Sequence, residues 1–133
     1  MAIETIDRDI GKFAKAIGAD LGLATEKIAG DLHGKITKRT PVDSGRARAS
    51  WDMGIGAPPE GVPPEGQETY QEPLFDGGQI DGLSEVFIVS NLVYMEPLEN
   101  GHSQQAPNGM VALSIAEVVA EMDVILAEFD NNA

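Results

Sequence analysis

Apolar residues recur every three or four positions over the first third of the chain. The series runs Ile3, Ile6, Ile10, Phe13, Ile17, Leu21, Ala24, Ile28, Leu32 and Ile36. This spacing places the side chains along a single helical face and predicts a helix over residues 3–38. Five glycines interrupt this segment, and each costs about 1 kcal/mol relative to alanine. The apolar face must therefore be covered by another element, and a bend is expected near Gly18 or Gly22.

A proline marks the end of this helix, and less regular patterns follow it. Pro41 disfavours helical backbone in the residue before it, and residues 42–45 favour a turn. Weak alternation of polar and apolar residues predicts a strand over 46–55, with Trp51 as its main anchor. Residues 56–82 hold five prolines and six glycines among scattered acids. They therefore favour a long extended loop.

Two further regular elements are expected after the loop. The β-branched run 85–91 predicts a core strand, and residues 92–99 have room for one helical turn. A second apolar stripe over 110–129 predicts an amphipathic helix. We therefore expect residues 1–133 to form one α+β domain. It would have a long N-terminal helix, a small antiparallel or mixed sheet and a C-terminal helix packed on that sheet.

Charge is distributed unevenly along the chain. Nine basic and 22 acidic residues give a net charge of −13, and every base lies between Arg8 and Arg48. Residues 1–50 carry a net charge of +2, whereas residues 51–133 carry −15 and contain no base. Because contact with the phosphate backbone requires lysine and arginine, the second part is not a DNA-binding surface. The split predicts a protein with two surfaces of opposite charge.

The residue types needed for most site chemistry are scarce. The chain has no cysteine, which excludes disulfides, thiolate zinc sites and cysteine nucleophiles. His33 is expected at the boundary of the first helix, and His102 lies in a polar loop. No nucleophile elbow, phosphate-binding loop or EF-hand spacing is present. We expect no catalytic residue, no metal and no cofactor.

The lengths of the apolar runs argue against a membrane location. No apolar run approaches the roughly 18 residues of a membrane span. The first residues, Met1 to Glu4, do not resemble a signal peptide. A protein of the cytoplasm, or of an assembly built there, is expected.

Three motifs occur in a fixed order. The run 40–51 (TPVDSGRARASW) closes the first helix, and the segment 90–101 contains Ser-Asn, a tyrosine and Glu-Asn-Gly. The run 103–111 (SQQAPNGMV) precedes the last helix. In this order the motifs resemble the tail-component, or neck, family of long-tailed bacteriophages, which includes tail-completion proteins at the head-to-tail junction. The resemblance covers most of the chain except residues 56–82.

The resemblance implies a small structural protein of the virion, assembled in the host cytoplasm, that is not an enzyme. It implies a ring of roughly six or twelve copies joining the head connector or head-closure protein to the tail terminator or tail tube. DNA would be only a non-specific passenger in the channel. The matching positions are candidate interface or structural residues. They are Arg39, Asp43, Arg46, Arg48, Trp51, Asn91, Tyr94, Glu99, Gly101, Gln105, Pro107 and Gly109.

The charge split suits such a ring, because each head-to-tail interface can pair unlike patches. We expect Arg39, Arg46 and Arg48 to face a neighbouring subunit or the connector. Part of the acidic surplus would line the channel and keep DNA from adhering. The candidate acids are Glu117, Glu121 and Glu128.

The sequence supports two further interpretations, one of a helix cap and one of an alternative function. Asn108 is expected to cap the start of the last helix. The alternative function is an acidic DNA mimic or inhibitor that binds a host nucleic-acid enzyme. That alternative rests on the net charge alone and leaves the motifs at 40–51 and 103–111 unexplained.

Overall fold

The computed structural model describes residues 10–41, 46–61, 85–92, 94–101 and 103–131. Over these residues the fold is mixed α+β, which confirms the predicted class, with five helices and one two-stranded antiparallel sheet. The elements are α1 (Ile10–Ile17), α2 (Leu21–Arg39), α3 (Arg46–Ala49), β1 (Asp52–Ile55), β2 (Val86–Val89), α4 (Met95–Glu99) and α5 (Val111–Asn131).

The predicted helix over 3–38 is two helices in the described residues, and residues 3–9 lie outside them. Gly18 adopts a φ of +69°, which ends α1 in a conformation that glycine tolerates best. Asp20 then caps α2, because its carboxylate accepts a hydrogen bond from the Leu23 N–H at 2.8 Å. The apolar spacing continues across this break, since Phe13 and Ile28 reach the same core cluster.

The predicted strand over 46–55 is wrong in its first half. Residues 46–49 form the single turn α3, and the strand begins only at Asp52. The turn buries Ala47, and its carbonyl accepts a hydrogen bond from the Ser50 hydroxyl at 2.6 Å. The alternation of arginine and alanine over these four residues also fits one helical turn, because a single turn is enough to bury Ala47.

The two strands form a short hairpin-like ladder. Asp52 pairs with Val89, and Ile55 pairs with Val86. The strand predicted over 85–91 is therefore confirmed in a shorter form, but its four residues are half-buried, so it is not the core strand expected. Residues 56–61 of the predicted loop have no helix or strand, and residues 62–84 lie outside the described part. The turn predicted over 42–45 lies outside it as well.

The core consists of two apolar clusters. The first contains Ile36, Ala47, Trp51, Leu92, Met95, Ala106 and Met110. The second contains Phe13, Ala14, Ala24, Ile28, Val118 and Met122. Helix α5 packs mainly on α1 and α2 through the second cluster, and not mainly on the sheet as predicted. In the described part of the chain, no helix is both long and apolar enough to cross a membrane.

Candidate functional site

Glu99, the last residue of α4, holds the start of α5. Its Oε1 accepts hydrogen bonds from the N–H groups of Met110 at 2.8 Å and Val111 at 2.7 Å. Its Oε2 accepts one from the Ala112 N–H at 3.2 Å. A carboxylate is favoured there, because the first N–H groups of a helix lack partners within it and carry partial positive charge. The prediction that Asn108 caps this helix is wrong, because α5 begins at Val111.

Two glycines let the connecting loop fold tightly against this carboxylate. Gly101 and Gly109 have φ values of +87° and +83°. A Cβ atom at Gly101 would collide with the Pro107 carbonyl oxygen, and one at Gly109 would lie 2.9 Å from Glu99 Oε2. The structure thus brings together Glu99, Gly101, Pro107 and Gly109, and each contributes to the same α4–α5 connection.

Trp51 links the end of α2 to the start of the sheet. Its indole Nε1–H donates to the Thr40 hydroxyl at 2.8 Å, and its carbonyl oxygen lies 3.0 Å from His33 Nε2. The Thr40 hydroxyl donates in turn to the Ile36 carbonyl at 2.7 Å. Trp51 is buried in the first core cluster, but it directly precedes β1 and does not lie within a strand as predicted. His33 is only 2% exposed, so it is a core residue and not the boundary residue expected.

Two of the arginines expected to face a neighbouring subunit bond within the chain. Arg39 donates to the Ser114 hydroxyl at 3.0 Å and to the Glu117 carboxylate. Arg48 donates to the backbone carbonyls of Thr40 at 2.9 Å and Lys38 at 3.0 Å. It therefore satisfies carbonyl groups at the end of α2. Both remain partly exposed.

The other candidate interface residues lie apart from one another or outside the described residues. Asn91 donates to the carbonyls of Pro59 at 3.1 Å and Gly61 at 3.0 Å, which fixes the start of the long loop. Tyr94 is exposed at the start of α4 and makes no side-chain cap there. Asp43 and the side chain of Arg46 lie outside the described residues.

The unlike charges of the two halves of the chain pair between α2 and α5. Lys35 Nζ lies 2.9 Å from Asp31, 3.4 Å from Glu117 and 3.2 Å from Glu121. The hydrogen bond with Asp31 is the main cause that raises the pKa of Lys35 above its ordinary range. The Arg39 guanidinium is the main cause that lowers the pKa of Glu117.

The expectation that these acids line a channel stays a prediction, and the pairing shows only that two of them also have partners within the chain. Glu117 and Glu121 contact bases of their own chain, whereas Glu128 is exposed on the same helix. Sequence reasoning missed Lys35 and Ser114 as partners. The four-residue spacing of Asp31 and Lys35 was an available signal for the pair on α2, but no local signal pointed to α5.

A pocket of about 360 Å³ lies where the end of α2, helix α3 and the loop before α5 meet. We call it the basic pocket, because Lys38, Arg39 and Arg48 line it together with loop residues 105–109 and Leu113. None of the described residues that line it is acidic. Five sequence candidates meet there, namely Arg39, Arg48, Gln105, Pro107 and Gly109.

The walls of the basic pocket are held by the contacts described above. Glu99 and the two glycines fix one wall, and the Gln105 N–H donates to the Ser103 hydroxyl at 3.1 Å. Arg48 and the Trp51–Thr40 bond fix the other wall. No group of three or more histidine, aspartate or glutamate residues in the described part could hold a metal ion. The arrangement suits binding by shape and charge.

No family model matches the chain, and comparison with curated proteins and with solved structures gives no match.

Proposed function

We propose that this chain is a structural protein of a bacteriophage neck, and that its ring joins the head connector to the tail. One observation carries the proposal. The motif segments 40–51 and 103–111, which are far apart in the sequence, line the same basic pocket. The segment 90–101 supplies Glu99, which fixes one wall of it. The motifs that resemble the neck family thus act as one structural unit.

The basic pocket suits the docking of an acidic segment from a neighbouring virion protein. A guanidinium has five N–H donors. The hydrogen bonds described above use two donors of Arg39 and two donors of Arg48. Lys38 adds an exposed charge at the rim. Because the pocket is preorganised, docking costs little conformational entropy. Opposite charge also favours the correct encounter.

The position of the gene is the first test. A gene for a neck protein should lie in a phage genome between the capsid and tail genes. Its deletion should yield DNA-filled heads and separate tails, seen by electron microscopy. Fully joined, infectious particles from the deletion strain would contradict the proposal.

A matched pair of variants then tests the basic pocket. Asn108→Asp adds one negative charge to the pocket lining with almost no change in shape. Asn100→Asp makes the same change at an exposed position that does not line the pocket. We expect Asn108→Asp to give several-fold fewer joined particles than Asn100→Asp. Equal yields of joined particles from the two variants would show that the basic pocket has no part in joining heads to tails.

The acidic DNA mimic is less well supported by this geometry. A mimic needs unpaired carboxylates arranged like phosphates, but Glu117 and Glu121 contact Arg39 and Lys35 within the chain. A mimic should also inhibit a host nucleic-acid enzyme in a direct assay, and a neck protein should not.

A further inference from the structure

Helix α5 carries a second apolar stripe on the side that faces away from the core. Its core side is buried at Ser114, Val118 and Met122. On the opposite side, exposed apolar residues recur every three or four positions. We call this stripe the outer ridge, and it consists of Leu113, Ala116, Ala120, Val124 and Ala127. Leu113 is 41% exposed, and Val124 at 59% is the most exposed large apolar residue described.

Helix α2 presents two glycines and two lysines on the side opposite its own core, with the exposed Asp31 beside them. We call this side the lysine–glycine face, and it consists of Leu23, Lys27, Gly30, Gly34 and Lys38. Leu23 is 44% exposed, and the two lysines are exposed as well. A Cβ atom built at Gly34 would meet nothing within 4 Å. No packing among the described residues therefore requires glycine there, although glycine weakens a helix relative to alanine.

The missing side chain has a use if another helix approaches. A glycine in the middle of a helix leaves a shallow groove that admits the ridge of a second helix. The outer ridge supplies such a ridge, with small residues at its centre and a larger side chain towards each end. Burial of Leu113 and Val124 would also remove two apolar side chains from water.

Charge decides which helix suits the outer ridge. Helix α5 has five acids and no base. Three of the acids, Glu117, Glu121 and Asp130, contact bases of their own chain, but a second α5 would still offer no base to the exposed Glu128. The lysine–glycine face instead places Lys27 and Lys38 beside the ridge, which the exposed Glu128 flanks. The unlike pairing favours α5 against α2.

We propose that the outer ridge of α5 in one copy packs on the lysine–glycine face of α2 in a second copy. This inference rests on the proposed function in one respect, because a ring requires that copies of the chain associate. It goes further by naming the two surfaces that meet.

Cysteine cross-linking tests the contact directly, because the chain has no cysteine of its own. Ala120→Cys and Lys27→Cys place one thiol on each surface, and Lys27→Cys replaces an exposed side chain without adding bulk at Gly34. The two purified variants are mixed at high concentration and treated with a short bismaleimide. Dimers containing one copy of each variant should form at least several-fold more than with either variant alone.

The control replaces the α2 position with Glu96→Cys, an exposed residue of α4, mixed with Ala120→Cys. Mixed dimers no more abundant than in this control would overturn the inference. Strong cross-linking of Ala120→Cys with itself would overturn it too, because it would show α5 packed on α5.

Gly34→Ala provides an independent test that does not depend on the cross-linker. The added methyl group meets none of the described residues of its own chain, but it enlarges the surface on which the ridge would pack. The melting temperature should be unchanged or higher, and self-association measured by sedimentation should weaken about tenfold. Unchanged association would contradict the close contact at Gly34.

A chain carrying both Ala120→Cys and Lys27→Cys separates this inference from the proposed function. A ladder of cross-linked species supports both the contact and the ring. A closed dimer supports the α5–α2 contact and contradicts the ring. A particle with the protein in its neck but with other subunit contacts would overturn the inference and leave the proposed function in place.

Discussion

Removing the Glu99 carboxylate should destabilise the whole protein, because this group holds α5 to the rest of the fold. Glu99→Ala removes three hydrogen bonds, to the N–H groups of Met110, Val111 and Ala112. Loss of a side-chain cap usually costs about 0.5–2 kcal/mol. A charge at a helix N-terminus adds about 0.3–1 kcal/mol.

The larger of these values apply here, because the bonds to Met110 and Val111 are partly buried. We expect Glu99→Ala to lower the free energy of unfolding by about 2–3 kcal/mol. For a domain of this size the melting temperature should fall by roughly 10 °C. Circular dichroism during heating and urea denaturation both measure the change.

Glu96→Ala is the matched control for this prediction. Glu96 is an exposed carboxylate of the same helix, and surface substitutions usually change stability by about 0.5 kcal/mol or less. Glu99→Gln should lie between the two, because the amide keeps one acceptor oxygen and loses the charge. Equal stability of Glu99→Ala and Glu96→Ala would refute the role given to the Glu99 carboxylate.

The remaining predictions concern two glycines and one ion pair. Gly34→Ala should raise the free energy of unfolding of the monomer by up to about 1 kcal/mol in urea denaturation, because the methyl group meets open space. Gly109→Ala should destabilise the fold by about 2 kcal/mol or more in the same assay, since the added Cβ would press on Glu99 and the φ is positive. The Arg39 guanidinium lowers the pKa of Glu117 from its ordinary value of about 4.5. The resulting stabilisation should therefore be present above pH 4.5 and be lost as the pH falls through the lower folded value, and Glu117→Gln should remove this part of a stability–pH profile.

The sequence predicted best what depends on local periodicity. The stripes correspond to helices α1, α2 and α5 over residues 10–38 and 111–129, because burial of one face repeats every three or four residues. The apolar stripe continues without interruption across Gly18. The glycines therefore indicated a bend there, but the apolar spacing could not show that the segment forms two helices. The start of β1 was misjudged because Arg-Ala alternation also fits the single turn of α3.

The candidate site was only partly predictable. Motif resemblance selected Glu99, Gly101 and Gly109, but their joint role depends on contacts between the end of α4 and the start of α5. No local pattern could indicate that Arg48 of α3 and the loop at 105–109 line one pocket, because this depends on how distant elements pack.

The charge split has a different meaning once the fold is known. Part of it is satisfied within one copy, since Lys35 and Arg39 of α2 contact acids of α5. The two surfaces proposed for contacts between copies, the lysine–glycine face and the outer ridge, take no part in these ion pairs. Charge reversal at Arg39 would therefore disturb the monomer before it tested any interface.

A reconstruction of the neck of the intact phage particle tests the central claim most directly. The account predicts a ring of this chain between the connector and the tail, with the basic pocket of each copy covered by an acidic segment of a neighbouring protein. Absence of the chain from the neck of particles that package its gene, or its presence only elsewhere in the particle, would contradict the account.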